Sequence, residues 1–312
     1  MQLSLMIEGQ NGVTWEQWLA LAAACETHGI ETLFRSDHYL NLGGAEELGS
    51  LDAWGTLCAL AGATRTLRLG TMVSPATFRH PSELAKLVTT ADHVSGGRVE
   101  LGLGAGWNEP EHAAYGFAFA PLKTRMDVLA EQLAVVHGNW SAGPFSFSGD
   151  HYTLDGLVAL PRPVQRPHPP LLMGGAAGPR AVALAARYAD EYNVVYASVD
   201  EARERRERVL AACAKADREP IAFSVMTGVV VGEDDASLAA RATAVEQRMG
   251  LEPGRLLRDP PAGWIVGTVE PVATQLRALG AVGVDRVLCQ HIAHEDTEMV
   301  AVLGERVAPL VA

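Results

Sequence analysis

The apolar positions of this chain follow two alternating spacings. Short apolar runs occupy residues 3–7, 32–35, 67–73, 99–103, 171–174, 191–195, 222–231 and 284–290. Such runs are strands buried on both faces, as in a parallel sheet covered by helices. The segments between them place apolar residues at helical spacing. Leu84, Leu87, Val88, Ala91 and Val94 form one stripe, and Met126, Leu129, Leu133, Val136 and Trp140 form another. Local signals bound the helices. Thr14 with Gln17 predicts a capping box and Gly29 a stop, while Pro81 opens a later helix that Gly96-Gly97 ends.

Eight strand and helix alternations predict an α/β fold, a (β/α)8 TIM barrel, whose tilted strands close around packed side chains. Two stretches break the alternation. In residues 143–169, FSFSGDHYTL reads as a hairpin about Gly149-Asp150 and is followed by the Pro-rich LPRPVQRPHPP. Residues 250–267 read as irregular. The chain, 1–312, is therefore expected to be one barrel domain with two insertions.

Chemistry on such a barrel gathers at the carboxyl ends of the strands. The second strand ends in Ser36-Asp37-His38. There His38 can exchange a proton near neutral pH, with Asp37 orienting the ring or pairing a cation; a capping Asp beside a solvated His is the plainer alternative. The fourth strand runs into Gly104-Ala105-Gly106-Trp107-Asn108-Glu109. Its glycines let the backbone approach a flat or phosphorylated ligand, Trp107 offers a stacking face, and Asn108 and Glu109 offer hydrogen bonds. A tight turn with a core Trp is the other reading, and the dinucleotide fingerprint is absent. Gly174, Gly175, Ala176, Ala177 and Gly178 lead into Pro179 at a helix start, which predicts an anion site on backbone N–H groups or else a plain connection. His291 ends the eighth strand as a candidate pocket residue. With His294 it lacks the spacing and third ligand of a metal site, so no metal is expected.

Charge and cysteine usage narrow the partners. A formal net charge of −12 disfavours nucleic acid and anionic membranes, leaving a small-molecule substrate. The N-terminal segment has neither a basic n-region nor a long apolar run, so a cytoplasmic location is expected. Cys25, Cys58, Cys213 and Cys289 are widely spaced, as reduced thiols rather than a disulfide framework.

At these residues the chain resembles the bacterial luciferase-like monooxygenase superfamily, and within it the branch of F420-dependent oxidoreductases. The likeness rests on SDH at 36–38, LGTMVSPATFRHPSELAK at 69–86, SGGRVELGLGAGWNEPEHAAYG at 95–116, PPLLMGGAAGPRAVALAARYAD at 169–190 and RVLCQH at 286–291. The resemblance implies a deazaflavin, coenzyme F420, or alternatively FMN, lying in the barrel mouth. It places a ring-backing bulge, often holding a non-prolyl cis peptide, at Met72-Val73 and extending to Ser74. It puts phosphate-binding elements on the fourth-strand loop, including Asn108, and on residues 174–178, and it makes His38 the strand-end histidine beside the reactive ring with Asp37 its acidic neighbour. Implied activities are hydride transfer with a small organic substrate, an FMN-dependent monooxygenation fed by a separate reductase, or a flavin-binding protein without catalysis. A homodimer is implied as well. Sugar-phosphate dehydrogenases of the superfamily carry an acidic residue where this chain has Ala105 and a Trp in the region of Leu40 to Leu42, so that activity is not implied.

Overall fold

The computed structural model describes residues 1–41 and 48–312; the glycine-rich part of the loop after the second strand, 42–47, lies outside the described residues. Among the described residues eight parallel strands form the barrel: Gln2–Ile7, Thr32–Arg35, Arg68–Thr71, Val99–Gly104, Leu171–Gly174, Glu191–Val195, Ala222–Gly232 and Arg286–Gln290. Each pairs with the next, and the register Gln2↔Arg286 joins the first to the eighth and closes the ring. The predicted caps are present. Thr14 and Gln17 bond reciprocally ahead of helix Trp15–His28, and Gly29 and Gly96 end their helices with φ of 78° and 69°, a region glycine enters without a Cβ penalty.

Strand alternation divides the interior into layers. Leu3, Leu5 and Ile7 face outward into the helix-covered core, whereas Met6 faces inward. Inside the barrel, Met6, Phe34, Leu172, Met226 and Leu288 pack together. Each such buried side chain contributes about 1.5–3 kcal/mol. Toward the amino ends of the strands the filling is ionic: Arg286 bonds Glu191 and lies 2.9 Å from Glu100, and Arg68 reaches Glu100 at 2.7 Å.

Two expectations need correction. The third strand does not run unbroken through residue 73. It stops at Thr71, the Met72-Val73 peptide is cis, and Ser74–Pro75 then pairs with the fourth strand through Ser74↔Leu103. The apolar spacing is the same with or without this bulge, so periodicity cannot reveal it. Nor is 250–267 wholly irregular. Ile265–Thr268 pairs with the overhanging end of the seventh strand, Val229↔Ile265, and gives the three valines 229–231 a partner beyond the barrel rim. The hairpin falls as expected, with Phe145–Ser148 antiparallel to Thr153–Leu157. All four cysteines are free.

Candidate active site

The carboxyl ends of the strands surround a cavity of about 720 Å³. Segments singled out in the sequence supply much of its wall. His38 stands after the second strand, Met72 and Val73 form the bulge after the third, and Gly104, Ala105, Gly106, Trp107 and Asn108 form the loop after the fourth. Gly174, Gly175, Ala176 and Gly178 form the turn after the fifth. Trp107 is 63% exposed, so it is a rim residue and not a core anchor. The fourth-strand glycines serve packing first. A Cβ at Gly102 would stand 2.0 Å from the Thr71 carbonyl oxygen, and one at Gly104 would stand 2.8 Å from Val73 Cγ2. These positions make room for the bulge.

Five predicted residues lie off the cavity wall. Asp37 is buried and faces the other way, bonded to both Arg79 nitrogens at 2.5 and 3.1 Å. Successive side chains of an extended segment point to opposite sides, so Asp37 cannot face the cavity beside His38. It pairs a cation instead of orienting the ring. Ser74 belongs to the same network, its hydroxyl donating to Asp37 at 2.7 Å. His291 obeys the same alternation: Gln290 points inward while His291 is buried outside, 3.0 Å from the Asp296 carbonyl and pushed by burial to a pKa of about 4. Glu109 is exposed at the first position of helix Glu109–Tyr115. Ala177 donates its N–H to Tyr192 Oη, and Gly175 donates to Asn193 O. Among the described residues, the unused amides of that turn are those of Ala176 and Gly178.

The residue that does hold His38 is Glu111, which the sequence reading did not single out. Glu111 Oε2 lies 2.8 Å from His38 Nδ1, and Oε1 accepts from the backbone N–H of Tyr39 at 2.5 Å and of Leu40 at 3.1 Å. Trp107 meets the imidazole edge-on, with ring centroids 5.5 Å apart. A second polar strip was also missed. Glu8 accepts from Gln290 at 2.5 Å and from Gln10 at 2.8 Å, and Tyr196 Oη donates to Gln290 Oε1 at 2.8 Å. The signal for Glu8 was available: it continues the inward parity of Ser4 and Met6.

Burial by itself lowers the pKa of His38, but the bond to Glu111, its charge and those of Glu8 and Asp37 outweigh this and raise it. For Glu111 burial acts upward, and the bond to His38 and the backbone donors prevail and lower it. The pair should therefore stabilise the fold fully between the ordinary Glu value of 4.5 and the ordinary His value of 6.5. That contribution is lost as pH rises through the raised His38 pKa and as pH falls through the depressed Glu111 pKa. Denaturation midpoints of wild type and His38→Ala measured across pH should converge at both extremes; a constant gap would contradict the ion pair.

Residues 1–286 match the luciferase-like monooxygenase family. The chain belongs to that family. Its relatives include an F420-dependent hydroxymycolic acid dehydrogenase of Mycobacterium tuberculosis, 30% identical over 271 residues that span 81% of this chain and 72% of that one. An FMNH(2)-dependent dimethylsulfone monooxygenase of Pseudomonas putida is 26% identical over 286 residues, spanning 81% and 76%. The fold matches the monooxygenase RslO1 from Streptomyces bottropensis with a TM-score of 0.83 at 22% identity over the full length of both chains. It matches an F420-dependent secondary alcohol dehydrogenase with a TM-score of 0.79 at 20% identity, over 100% of this chain and 99% of that one. This luciferase-like protein is thus an oxidoreductase or monooxygenase of a family that has both F420- and FMN-dependent members.

Proposed function

We propose that the protein is a coenzyme F420-dependent oxidoreductase that reduces a small uncharged organic substrate. The observation that carries this reading is His38, a strand-end imidazole biased toward its protonated form, with Nε2 free of partners among the described residues at a largely apolar cavity.

The residues present fit a flat cofactor with an anionic tail. Met72 and Val73 give the ring a wall. The amides of Ala176 and Gly178 lie at the start of helix Pro179–Tyr188, where the helix dipole favours an anion. A Cβ at Gly178 would meet nothing within 4 Å, so the turn is open there. When bound, a deazaflavin supplies a hydride as a two-electron donor. His38 supplies the matching proton from Nε2. A C=O, C=N or activated C=C bond reduced there would take its proton from Nε2, leaving the imidazole neutral. Among the described residues the cavity lining carries one guanidinium, that of Arg180, and it is paired with Asp127, so a small uncharged substrate fits this wall.

Titration of the purified protein with F420 and with FMN tests the reading. The expected result is tight F420 binding and oxidation of the reduced deazaflavin by an electron-poor enone or imine. Binding of FMN alone, with substrate-dependent O₂ uptake, would replace it with an FMN-dependent monooxygenase served by a separate reductase, the reading that the dimethylsulfone monooxygenase relative supports. Gly178→Val examines the tail site directly. Gly178 caps that helix and an added Cβ meets nothing within 4 Å, so the poorer cap should cost only about 0.5–1 kcal/mol of stability while cofactor affinity falls about 10–100-fold, the loss expected for disturbed hydrogen bonds to an anion. Unchanged affinity would move the tail elsewhere.

A further inference from the structure

We infer that Glu111 is the positioning residue of His38, holding Nδ1 so that Nε2 is the ring nitrogen left to the cavity. The side chain of Glu111 is 0% exposed and that of His38 15% exposed, so the contact is shielded from water. Both carboxylate oxygens are committed. Oε2 takes the ring, and Oε1 takes the amides of Tyr39 and Leu40, which follow His38 in the chain. One carboxylate therefore fixes both the imidazole and the backbone that carries it.

Among the described residues, no other acid in the site does this. Asp37, on the same segment as His38, is turned to Arg79 and Ser74. Glu8, beyond the first strand, is held by Gln10 and Gln290. Trp107 approaches the ring edge-on and brings no charge. Glu111 also ties His38 to the wall that would receive the cofactor, because its helix starts immediately after Trp107 and Asn108. A carboxylate at Nδ1 keeps a proton there in both ring states. Neutral His38 is then the Nδ1–H tautomer with a lone pair on Nε2, and protonated His38 carries its transferable proton on Nε2.

This inference deepens the role proposed for His38, but its test needs neither cofactor nor substrate. The ring nitrogens of His38 are followed by NMR on labelled protein, with the resonances assigned by their loss in His38→Ala. In the wild type, neutral His38 is expected as Nδ1–H. In Glu111→Gln the amide oxygen can still accept from Tyr39 and Leu40, while the amide –NH₂ facing the ring must donate to Nδ1. The neutral tautomer should then switch to Nε2–H, and the pKa of His38 should fall by about 1–3 units, the usual effect of an adjacent opposite charge. Glu111→Asp, which keeps the charge on a shorter arm, should fall between the two. An Nε2–H tautomer in the wild type, or an unchanged tautomer and pKa in folded Glu111→Gln, would overturn the inference; the wild-type measurement decides even if the variant does not fold. A shifted titration with unaltered turnover would leave Glu111 as the positioning residue and refute the proton role of His38 instead.

Discussion

His38→Ala is expected to lower turnover by about 10²–10⁴-fold, the usual worth of a general acid or base, while cofactor affinity stays near that of the wild type. The geometry separates these effects, since His38 contributes a proton-bearing nitrogen to the cavity whereas the open amides lie in the turn after the fifth strand. Stopped-flow oxidation of the reduced cofactor, beside an equilibrium titration, reads the two independently. Full turnover in the variant would remove His38 from the chemistry, and lost affinity with normal turnover at saturation would make it a binding residue. The pH profile gives a second check. Proton donation requires the imidazolium, so the reductive rate should decline as pH rises through the raised pKa of His38.

The largest expected effect on stability comes from Arg286→Met. Arg286 sits between Glu100 and Glu191 at the closed end of the barrel, its guanidinium 4.9 Å from the Phe34 ring centroid. Removing it leaves two buried carboxylates. Glu100 retains Arg68, but Glu191 loses its guanidinium partner. A loss of about 3–5 kcal/mol at pH 7 is expected, as for other buried ion pairs deprived of one partner. Glu191 is already pushed upward by burial, and the nearby charge of Glu100 adds to this. A carboxyl whose folded pKa lies above its unfolded value takes up its proton sooner in the folded state, so acidification through that pKa should restore part of the loss. Denaturant unfolding at pH 7 and pH 5 measures this. A loss below about 1 kcal/mol, or one that grows on acidification, would show that charge pairing does not hold this layer.

How much of this was legible beforehand can be traced through particular residues. The strand runs, the capping box at Thr14 and the stops at Gly29 and Gly96 are local signals, because a cap is satisfied within three or four residues and an apolar period repeats within one element. The barrel followed from counting them. The cavity wall was partly legible for the same reason, since strand-end loops in a barrel face the mouth whatever their detailed course. The motif resemblance added the bulge at Met72-Val73, which no periodicity marks.

What sequence alone determined, then, was the order of elements and the set of segments that meet at the mouth. It did not determine which side chains within those segments face inward, although parity along the strand would have separated Asp37 from His38 and His291 from Gln290. The partner of His38 is of another kind. Glu111 is 73 residues away in the chain, on a short helix whose docking depends on barrel closure and on the fourth-strand loop, and nothing local distinguishes it from Glu109 two residues earlier. The same holds for Glu100, Glu191 and Arg286, which meet through a separation of 186 residues between the first and last. Hydrophobic periodicity is a property of one element at a time. The pairing of charges buried inside a barrel is set by strand register, which only the closed ring defines.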